Sequence, residues 1–380
     1  MAQYSEAVSG SSRRRGRAVG YALVGTLLTG SLFLVQPAIA GAKRPYASTT
    51  TTTTTTSPTT TTTVVGTTTS TTTPSTTTST TTTTTTTIPV PTTLAWPANE
   101  TAAVAIPSLH IFATSPTQPM VPIASITKLM TTWVILHHFP LQFGQRGPCH
   151  VVNAADMAGY RYDVATDQSN VRLVQGMTLC EGTLLRGLLV HSAGDYAHLL
   201  VELTGWSNAT FIRVMNRDAR VLGLRSSRYV EVTGIDSGDV STASDQVTLA
   251  VDLMNAEPIV RDIVALPSVD LPGAGLVDSY TPFVGEGGVV GVKSGFTGAA
   301  GGCDVMAINF VVGGASVTAY AVVLGDHGTN PIVGSGVQAL ALARSLRPYL
   351  RWGATAQGHA IVWTGTSRDV RAASYAPMIS

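Results

Sequence analysis

The chain has 380 residues, of which 44% are hydrophobic and 12% charged, and its formal net charge is +1. A chain this close to neutral lacks the basic face that nucleic-acid binding normally needs, so we exclude nucleic acid as the main partner. The length allows two or more domains, but only about one stretch of the chain has the composition of a globular domain.

Residues 1–40 have the pattern of an export signal. A basic stretch at 11–17 precedes an apolar stretch at 18–36, and Ala-Ile-Ala at 38–40 is a small-x-small cleavage site. The apolar stretch also approaches the length of a spanning helix, so an uncleaved membrane anchor is the competing interpretation. Either way, we expect the rest of the chain to be extracytoplasmic, secreted to the cell wall or held to the membrane only through an uncleaved N-terminus.

Residues 41–96 are rich in threonine, with scattered serine and proline. So few apolar side chains cannot offset the entropy of ordering, which predicts a disordered linker. Such a composition is typical of an O-glycosylated stalk and equally of an unmodified spacer.

Residues 97–350 have the composition of one globular domain, and 351–380 are expected to form a short tail. In chain order the patterns predict a hairpin at 101–114, a helix at 124–139, two helices that meet near 191–194, a helix at 208–224, a strand–turn–strand at 303–325 and a helix at 331–350. The predicted class is α/β (α+β), with one antiparallel sheet formed by both ends of the domain and helices inserted between them.

The cysteines and histidines predict no metal site and no cofactor. Cys149 and Cys180 are a plausible disulfide pair for an exported chain, which leaves Cys303 free, and their spacing fits no zinc motif. His137 and His138 are adjacent on a predicted helix, so their side chains diverge.

The stretch HSAGDYA contains His191, Ser192 and Asp195, the three residue types of a hydrolytic triad. Triad members usually come from separate segments, and neighbours on one helix point in different directions. The chain also has no G-x-S-x-G elbow. We therefore expect His191 and Asp195 to be structural neighbours of Ser192 rather than its catalytic partners.

Two other stretches carry candidate chemistry. In IASITKLM, Ser125 and Lys128 share one helix face, and a lysine of lowered pKa can be the base for a serine, although the pattern alone equally fits a helix cap and a surface lysine. In GVKSGFT, an edge strand would present Lys293 to a substrate carboxylate and help to keep Lys128 neutral. A plain strand with a solvated lysine is the alternative.

Together, Ser125–Lys128, Ser192 and Lys293–Ser294–Gly295 follow the order of the S-x-x-K, S-x-N and K-T-G motifs. With the stretches PIASITKLMT and GVKSGFTGAAGGC, residues 101–350 resemble the low-molecular-mass penicillin-binding proteins, the serine-type D-alanyl-D-alanine carboxypeptidases of peptidase family S11. The resemblance implies a β-lactamase/transpeptidase-like fold, peptidoglycan stem peptides as substrates and β-lactam antibiotics as covalent inhibitors.

The resemblance also implies a role for each motif residue. Ser125 is the expected nucleophile, Lys128 its general base and Ser192 a proton relay. The expected oxyanion hole uses the backbone N–H groups of Ser125 and Phe296. The full set of expected substrate-binding residues is Lys293, Ser294, Gly295, Phe296, Thr297 and Gly194.

Gly194 is a departure, because the family usually has asparagine at this position. A lost amide contact costs about 1–3 kcal/mol of transition-state binding, which leaves a weakly active or inactive wall-binding homologue as the alternative function. A class A β-lactamase is a further alternative. It would need a deacylating glutamate, and the one candidate, Glu231, is expected to lie at the surface.

Overall fold

The computed structural model describes residues 94–365. The predicted export signal lies outside the described residues, as does the predicted linker up to residue 93. At its start the described chain is already packed, since Leu94 is buried in an apolar core and Trp96 lies against the same core.

Most of the helices bury a row of apolar residues with helical spacing, whereas the helix at Ala154–Ala165 buries only Asp163 and begins at an Asn153 capping box. The helices are α1 (Thr127–His138), α2 (Ala154–Ala165), α3 (Glu181–Val190), α4 (Gly194–Thr204), α5 (Asn208–Val221), α6 (Ala243–Ala256), α7 (Pro258–Val264) and α8 (Pro331–Arg344). The strands are β1 (Thr101–Ile106), β2 (Ile111–Thr114), β3 (Val121–Pro122), β4 (Cys149–Val151), β5 (Thr178–Cys180), β6 (Val240–Ser241), β7 (Ser268–Leu271), β8 (Gly275–Asp278), β9 (Val289–Thr297), β10 (Gly301–Val312), β11 (Ala315–Asp326), β12 (Leu350–Thr355) and β13 (Gly358–Trp363).

The main sheet has five antiparallel strands in the order β2-β1-β11-β10-β9. β1, from the start of the domain, pairs with β11, from its end, so the predicted sheet of both ends is confirmed. The edge position predicted for GVKSGFT is confirmed as well, because β9 is the last strand in this order. One side of β9 is therefore free to receive a partner or a substrate.

Alternate residues of the sheet face two separate cores, as the period of two along a strand requires. In β1, Ala103 and Ala105 join a large core formed with the helices inserted between β2 and β9, whereas Ala102 and Val104 join a smaller core on the opposite face. Helix α8 covers this smaller core with residues such as Leu342. The domain thus has three layers, with the inserted helices on the face that carries the candidate site.

Two features outside the main sheet complete the fold. Cys149 and Cys180, the pair that the sequence analysis named as plausible, form a disulfide across the β4–β5 ladder, and Cys303 is a buried free thiol. After residue 350, where a tail was expected, β12 and β13 form a hairpin whose Trp363 packs on the smaller core. Among residues 94–365, no helix is both long enough and apolar enough to span a bilayer.

Candidate active site

The first motif lies where a short 3-10 turn at Ala124–Ile126 runs into α1. Ser125 and Lys128 are one turn apart, and the Nζ of Lys128 lies 2.8 Å from the Oγ of Ser125. Lys128 is buried, whereas Ser125 is partly exposed to solvent. The hydroxyl can therefore meet a ligand while its amine partner stays shielded from water.

The second motif reaches the same lysine from the turn between α3 and α4. Nζ of Lys128 lies 3.4 Å from Oγ of Ser192, which completes a chain of three polar side chains: Ser125, Lys128 and Ser192. Ser192 has a φ of 62°, in the left-handed region that normally favours glycine after a helix. This conformation costs on the order of 1 kcal/mol for a serine. The strained position points the buried hydroxyl at the lysine.

Burial lowers the pKa of Lys128 to about 8, against the charges of Glu231, Asp195 and Asp163, which raise it. The sequence suggested that Lys293 would help to keep Lys128 neutral, but desolvation is the main cause. A neutral amine 2.8 Å from a hydroxyl can accept its proton. The pair thus has the geometry and the proton affinity of a general base and a nucleophile.

The third motif lies on β9, against the backbone of Ser125. A Cβ at Gly295 would lie 2.6 Å from the backbone nitrogen of Ser125 and 3.2 Å from that of Ile126. Only a residue without a side chain allows this approach. The close contact brings the edge of β9 to the N–H groups at the start of α1, and Phe296 follows with a side chain that is 48% exposed.

Lys293 is fully buried on β9, and its Nζ donates to the backbone oxygen of Ser294 at 2.7 Å. Burial and then the charge of Lys128 lower its pKa well below the usual value, whereas Asp304 on the neighbouring strand raises it. Asp304 is itself fully buried, and neither of its carboxylate oxygens has a hydrogen-bond partner among the described residues. Burial also raises the pKa of Asp304 well above its usual value, against the charge of Lys293, so burial favours the neutral form of both groups.

The two remaining motif side chains on β9 are engaged within the protein. Ser294 donates its Oγ–H to the backbone oxygen of Tyr280 at 2.8 Å, so this proton is directed away from a ligand on β9. Thr297 accepts a hydrogen bond from the N–H of Ala300 through its Oγ1. Carboxylate binding by Ser294 requires its hydroxyl to rotate away from Tyr280.

Gly194, at the start of α4, lies between two loops that border the site. Its N–H donates to the backbone oxygen of Ser169 at 2.8 Å. A Cβ at this position would lie 3.3 Å from the same oxygen and 3.8 Å from Cγ2 of Thr233. A Cβ therefore fits after a shift of a few tenths of an ångström.

Two buried carboxylates near the lysines were not considered from the sequence: Asp163, near Lys128, and Asp304, near Lys293. Asp304 interrupts the apolar run CDVMAINFVV, and this was a usable signal. Of the two polar neighbours of Ser192, Asp195 accepts the N–H of Val171 with both oxygens at 3.2 Å. His191 makes a contact away from Ser192, with its Nδ1 3.1 Å from the backbone oxygen of Asp278.

The expected surface position of Glu231 is wrong. Its side chain is half-buried, and its carboxylate accepts the N–H groups of Thr233, Gly234 and Ile235. A carboxylate engaged by three donors supports a turn instead of presenting a free base.

A family model described as D-alanyl-D-alanine carboxypeptidase matches residues 85–328, well over half of the chain. The chain belongs to this family. The match spans all three motifs, from Ser125 to Gly295.

Individual relatives are more distant. A D-alanyl-D-alanine endopeptidase of Pseudomonas aeruginosa is 36% identical over 132 residues, which cover 35% of this chain and 39% of the relative. The chain spans less than half the length of the first curated relatives that it matches.

Two solved structures show the fold. The Streptomyces K15 DD-transpeptidase has a TM-score of 0.57 at 21% identity, over 66% of this chain and 98% of its own. The ampicillin-bound penicillin-binding protein D2 of Listeria monocytogenes has a TM-score of 0.51 at 22% identity, over 64% and 96%. The domain therefore has the fold of the DD-peptidases, and the expected fold class is confirmed.

The lowered pKa of Lys128 predicts how acylation of Ser125 depends on pH. Since only the neutral amine accepts a proton, the rate of acylation by a fluorescent penicillin should rise with pH to a plateau, with a midpoint near 8. Lys128→Arg, which stays charged, should abolish the reaction. A rate that is flat from about pH 6 to 10 would contradict the role of Lys128 as the base.

The contact between Gly295 and Ser125 predicts a steric block. Gly295→Ala should slow acylation about a hundredfold or more, because the methyl group displaces the start of α1 from β9. Gly298→Ala is the matched control, since nothing lies within 4 Å of the added carbon. Both variants are compared by penicillin acylation rate and thermal melting, and equal rates would refute the packing argument.

Proposed function

We propose that this protein is an exported serine D-alanyl-D-alanine carboxypeptidase that removes the terminal D-alanine from peptidoglycan stem peptides. The observation that carries the proposal is the hydrogen-bonded chain of Ser125, Lys128 and Ser192, directly beside Gly295 on the edge strand. Membership of the carboxypeptidase family supports this reaction class.

In the acylation step, neutral Lys128 accepts the hydroxyl proton of Ser125 while Oγ attacks the carbonyl carbon of the penultimate D-alanine. The oxyanion that forms is stabilised by the backbone N–H groups of Ser125 and Phe296. The C–N bond then breaks, and the proton passes from Lys128 through Ser192 to the leaving amine. Free D-alanine leaves, and the peptide remains as an ester on Ser125.

Deacylation repeats the same proton transfers with water. Lys128, neutral again, accepts a proton from a water molecule that attacks the ester carbonyl. The ester bond to Oγ breaks, and the proton returns to Ser125. The shortened peptide is released, and the side chains are back in their starting protonation states.

Recognition of the substrate's terminal carboxylate is assigned to Lys293 and to the hydroxyl of Ser294. The pKa of Lys293 is lowered by burial and by Lys128, and an incoming carboxylate would raise it again. A cation restored there repels a proton on Lys128 and so favours the neutral base. Substrate binding and activation of the nucleophile are coupled in this scheme.

A second candidate is cleavage of peptide cross-links, because the relatives from Haemophilus influenzae and Pseudomonas aeruginosa are D-alanyl-D-alanine endopeptidases. The same acyl-enzyme chemistry serves both reactions, and they differ only in the leaving amine. Covalent inhibition by β-lactams follows from either reaction, and the ampicillin-bound fold relative supports it.

An extracytoplasmic location is part of the proposal. It is supported by the Cys149–Cys180 disulfide, since such bonds persist in oxidising compartments outside the cytoplasm. Export through residues 1–40, with cleavage or with retention as an anchor, would bring the domain to its substrate.

The central test measures D-alanine release from a peptide ending in D-Ala-D-Ala. The wild type should release D-alanine, and Ser125→Ala should lower the rate at least about a thousandfold while still melting cooperatively. Purified cross-linked muropeptides, assayed in parallel, separate carboxypeptidase from endopeptidase activity. No turnover of either substrate, or undiminished release by Ser125→Ala, would refute the proposal.

Gly194 decides between a full enzyme and a wall-binding homologue with little turnover. Gly194→Asn restores an amide near the substrate backbone and should raise kcat/KM about tenfold, which corresponds to about 1.4 kcal/mol. Gly194→Ala is the control, because it adds the Cβ without the amide. If the wild type binds peptidoglycan but neither it nor Gly194→Asn turns substrate over, wall binding is the better assignment.

A further inference from the structure

Residues 230–240, here called the 230–240 loop, join α5 to α6 and lie against the segment that carries Ser125. The N–H of Ile123 donates to the backbone oxygen of Asp239 at 3.1 Å, and Oγ1 of Thr131 on α1 donates to that of Val232 at 2.7 Å. The short strands β3 and β6 pair immediately before the nucleophile turn. The loop thus holds the nucleophile segment on both sides of Ser125.

The tightest contact is between Gly234 and Ala124. Gly234 has a φ of 88°, and a Cβ there would overlap the carbonyl of Ala124. Ala124 is itself held at a φ of 47°, which is unfavourable for a residue with a side chain. The conformation of the residue before the nucleophile therefore depends on the position of Gly234.

Glu231 holds Gly234 in this position. Its carboxylate accepts the N–H of Thr233 at 2.6 Å, that of Ile235 at 2.9 Å, and that of Gly234. Three donors on one carboxylate define the turn more strongly than neutral hydrogen bonds would.

Asp239 holds the backbone at Glu231 through a hydrogen bond. Asp239 is fully buried, and its Oδ1 accepts the N–H of Val230 at 2.6 Å and that of Glu231 at 3.2 Å. Its Oδ2 has no N–H or O–H donor among the described residues, and the Asp239 carboxyl group lies beside that of Glu231. A buried carboxyl group beside a half-buried one favours one shared proton, because two neighbouring negative charges repel each other.

The charges fit this arrangement. Burial and then the contact with Glu231 raise the pKa of Asp239 to about 8. Burial raises the pKa of Glu231 too, but its hydrogen bonds from Asp239 and from Thr233 outweigh burial and lower it. The other titratable groups that face the pair are Lys128 on α1, Asp163 on α2, and Tyr229 just before the loop.

We propose that Glu231 and Asp239 share one proton and act as positioning residues, holding Ala124 and Ser125 in the reactive conformation and keeping a single negative charge near Lys128. This inference rests on the proposed function, since it takes Ser125 as the acylated residue. The pair itself is a property of the folded loop and can be tested without any substrate.

The first test is thermal melting of Asp239→Asn against pH. The asparagine keeps an oxygen for the N–H groups of Val230 and Glu231 and replaces the shared proton with a permanent donor. In the wild type the folded state retains a proton that the unfolded state releases near pH 4, so stability falls from about pH 4 to 8. The Tm of Asp239→Asn should therefore rise relative to wild type by about 4 °C or more across this range.

Asp236→Asn is the matched control, because Asp236 is an exposed acid of the same loop that accepts the N–H of Gly238. Its Tm difference from wild type should not change with pH over the same range. A flat difference for Asp239→Asn would overturn the shared proton.

The second test measures penicillin acylation. Glu231→Ala removes the acceptor for the turn and should lower the rate about tenfold or more, with partial recovery in Glu231→Gln. In the double variant Glu231→Gln/Asp239→Asn, neither side chain of the pair carries a charge. Since the charge of Glu231 raises the pKa of Lys128, the midpoint of the acylation rate should move about half a pH unit or more toward lower pH. The midpoint of Asp239→Asn alone should not move in this direction, because Glu231 keeps its charge.

The outcomes separate the two proposals. A wild type that is not labelled by penicillin refutes the function but leaves the melting test intact. A labelled wild type with an unshifted midpoint in the double variant and an undiminished rate in Glu231→Ala refutes the positioning role. If Glu231→Ala does not fold, the midpoint and melting comparisons of the other variants still decide.

Discussion

Burial of one lysine amine between two serine hydroxyls is the constraint on which the site depends. Lys128 needs a shell that excludes water, because burial is what lowers its pKa. The same shell needs polar contacts that aim the amine at Ser125, and Ser192 provides one only by adopting a left-handed backbone.

The neighbouring charges are balanced against this burial. Three carboxylates raise the proton affinity of Lys128, so its pKa stops near 8 rather than falling further. Burial also lowers the pKa of Lys293, the charge of Lys128 lowers it further, and Asp304 raises it. The amine of Lys128 therefore gains and loses its proton near pH 8, and a change in a neighbouring charge can shift its pKa in either direction.

The main sheet fixes the position of the segment that carries Ser125 and Lys128. The five-stranded sheet closes the chain on itself through the pairing of β1 with β11, and β9 is held at its edge by β10. Gly295 then lies so close to the backbone of Ser125 that no side chain fits between them. The turn at Ala124–Ile126 is thus packed against the edge of the sheet and against the 230–240 loop. Each of these contacts is made by a glycine, Gly295 on β9 and Gly234 in the loop.

The sequence alone predicted the motif residues, the edge strand and the helices α1, α3, α4, α5 and α8, because each depends on local spacing: i and i+3 for Ser125 and Lys128, period two for β1 and β11, and turn residues at the ends. It did not predict α2, α6 or α7. It did not determine the contact of Val232 with Thr131 on α1, the placement of Asp304 near Lys293, or the donation from Ser294 to Tyr280. These pairs of residues lie 101, 11 and 14 positions apart, and only tertiary packing brings them together. Burial, and hence the proton affinities on which the chemistry depends, was likewise decided by the tertiary structure, since desolvation is a property of all the surrounding atoms and not of any local pattern.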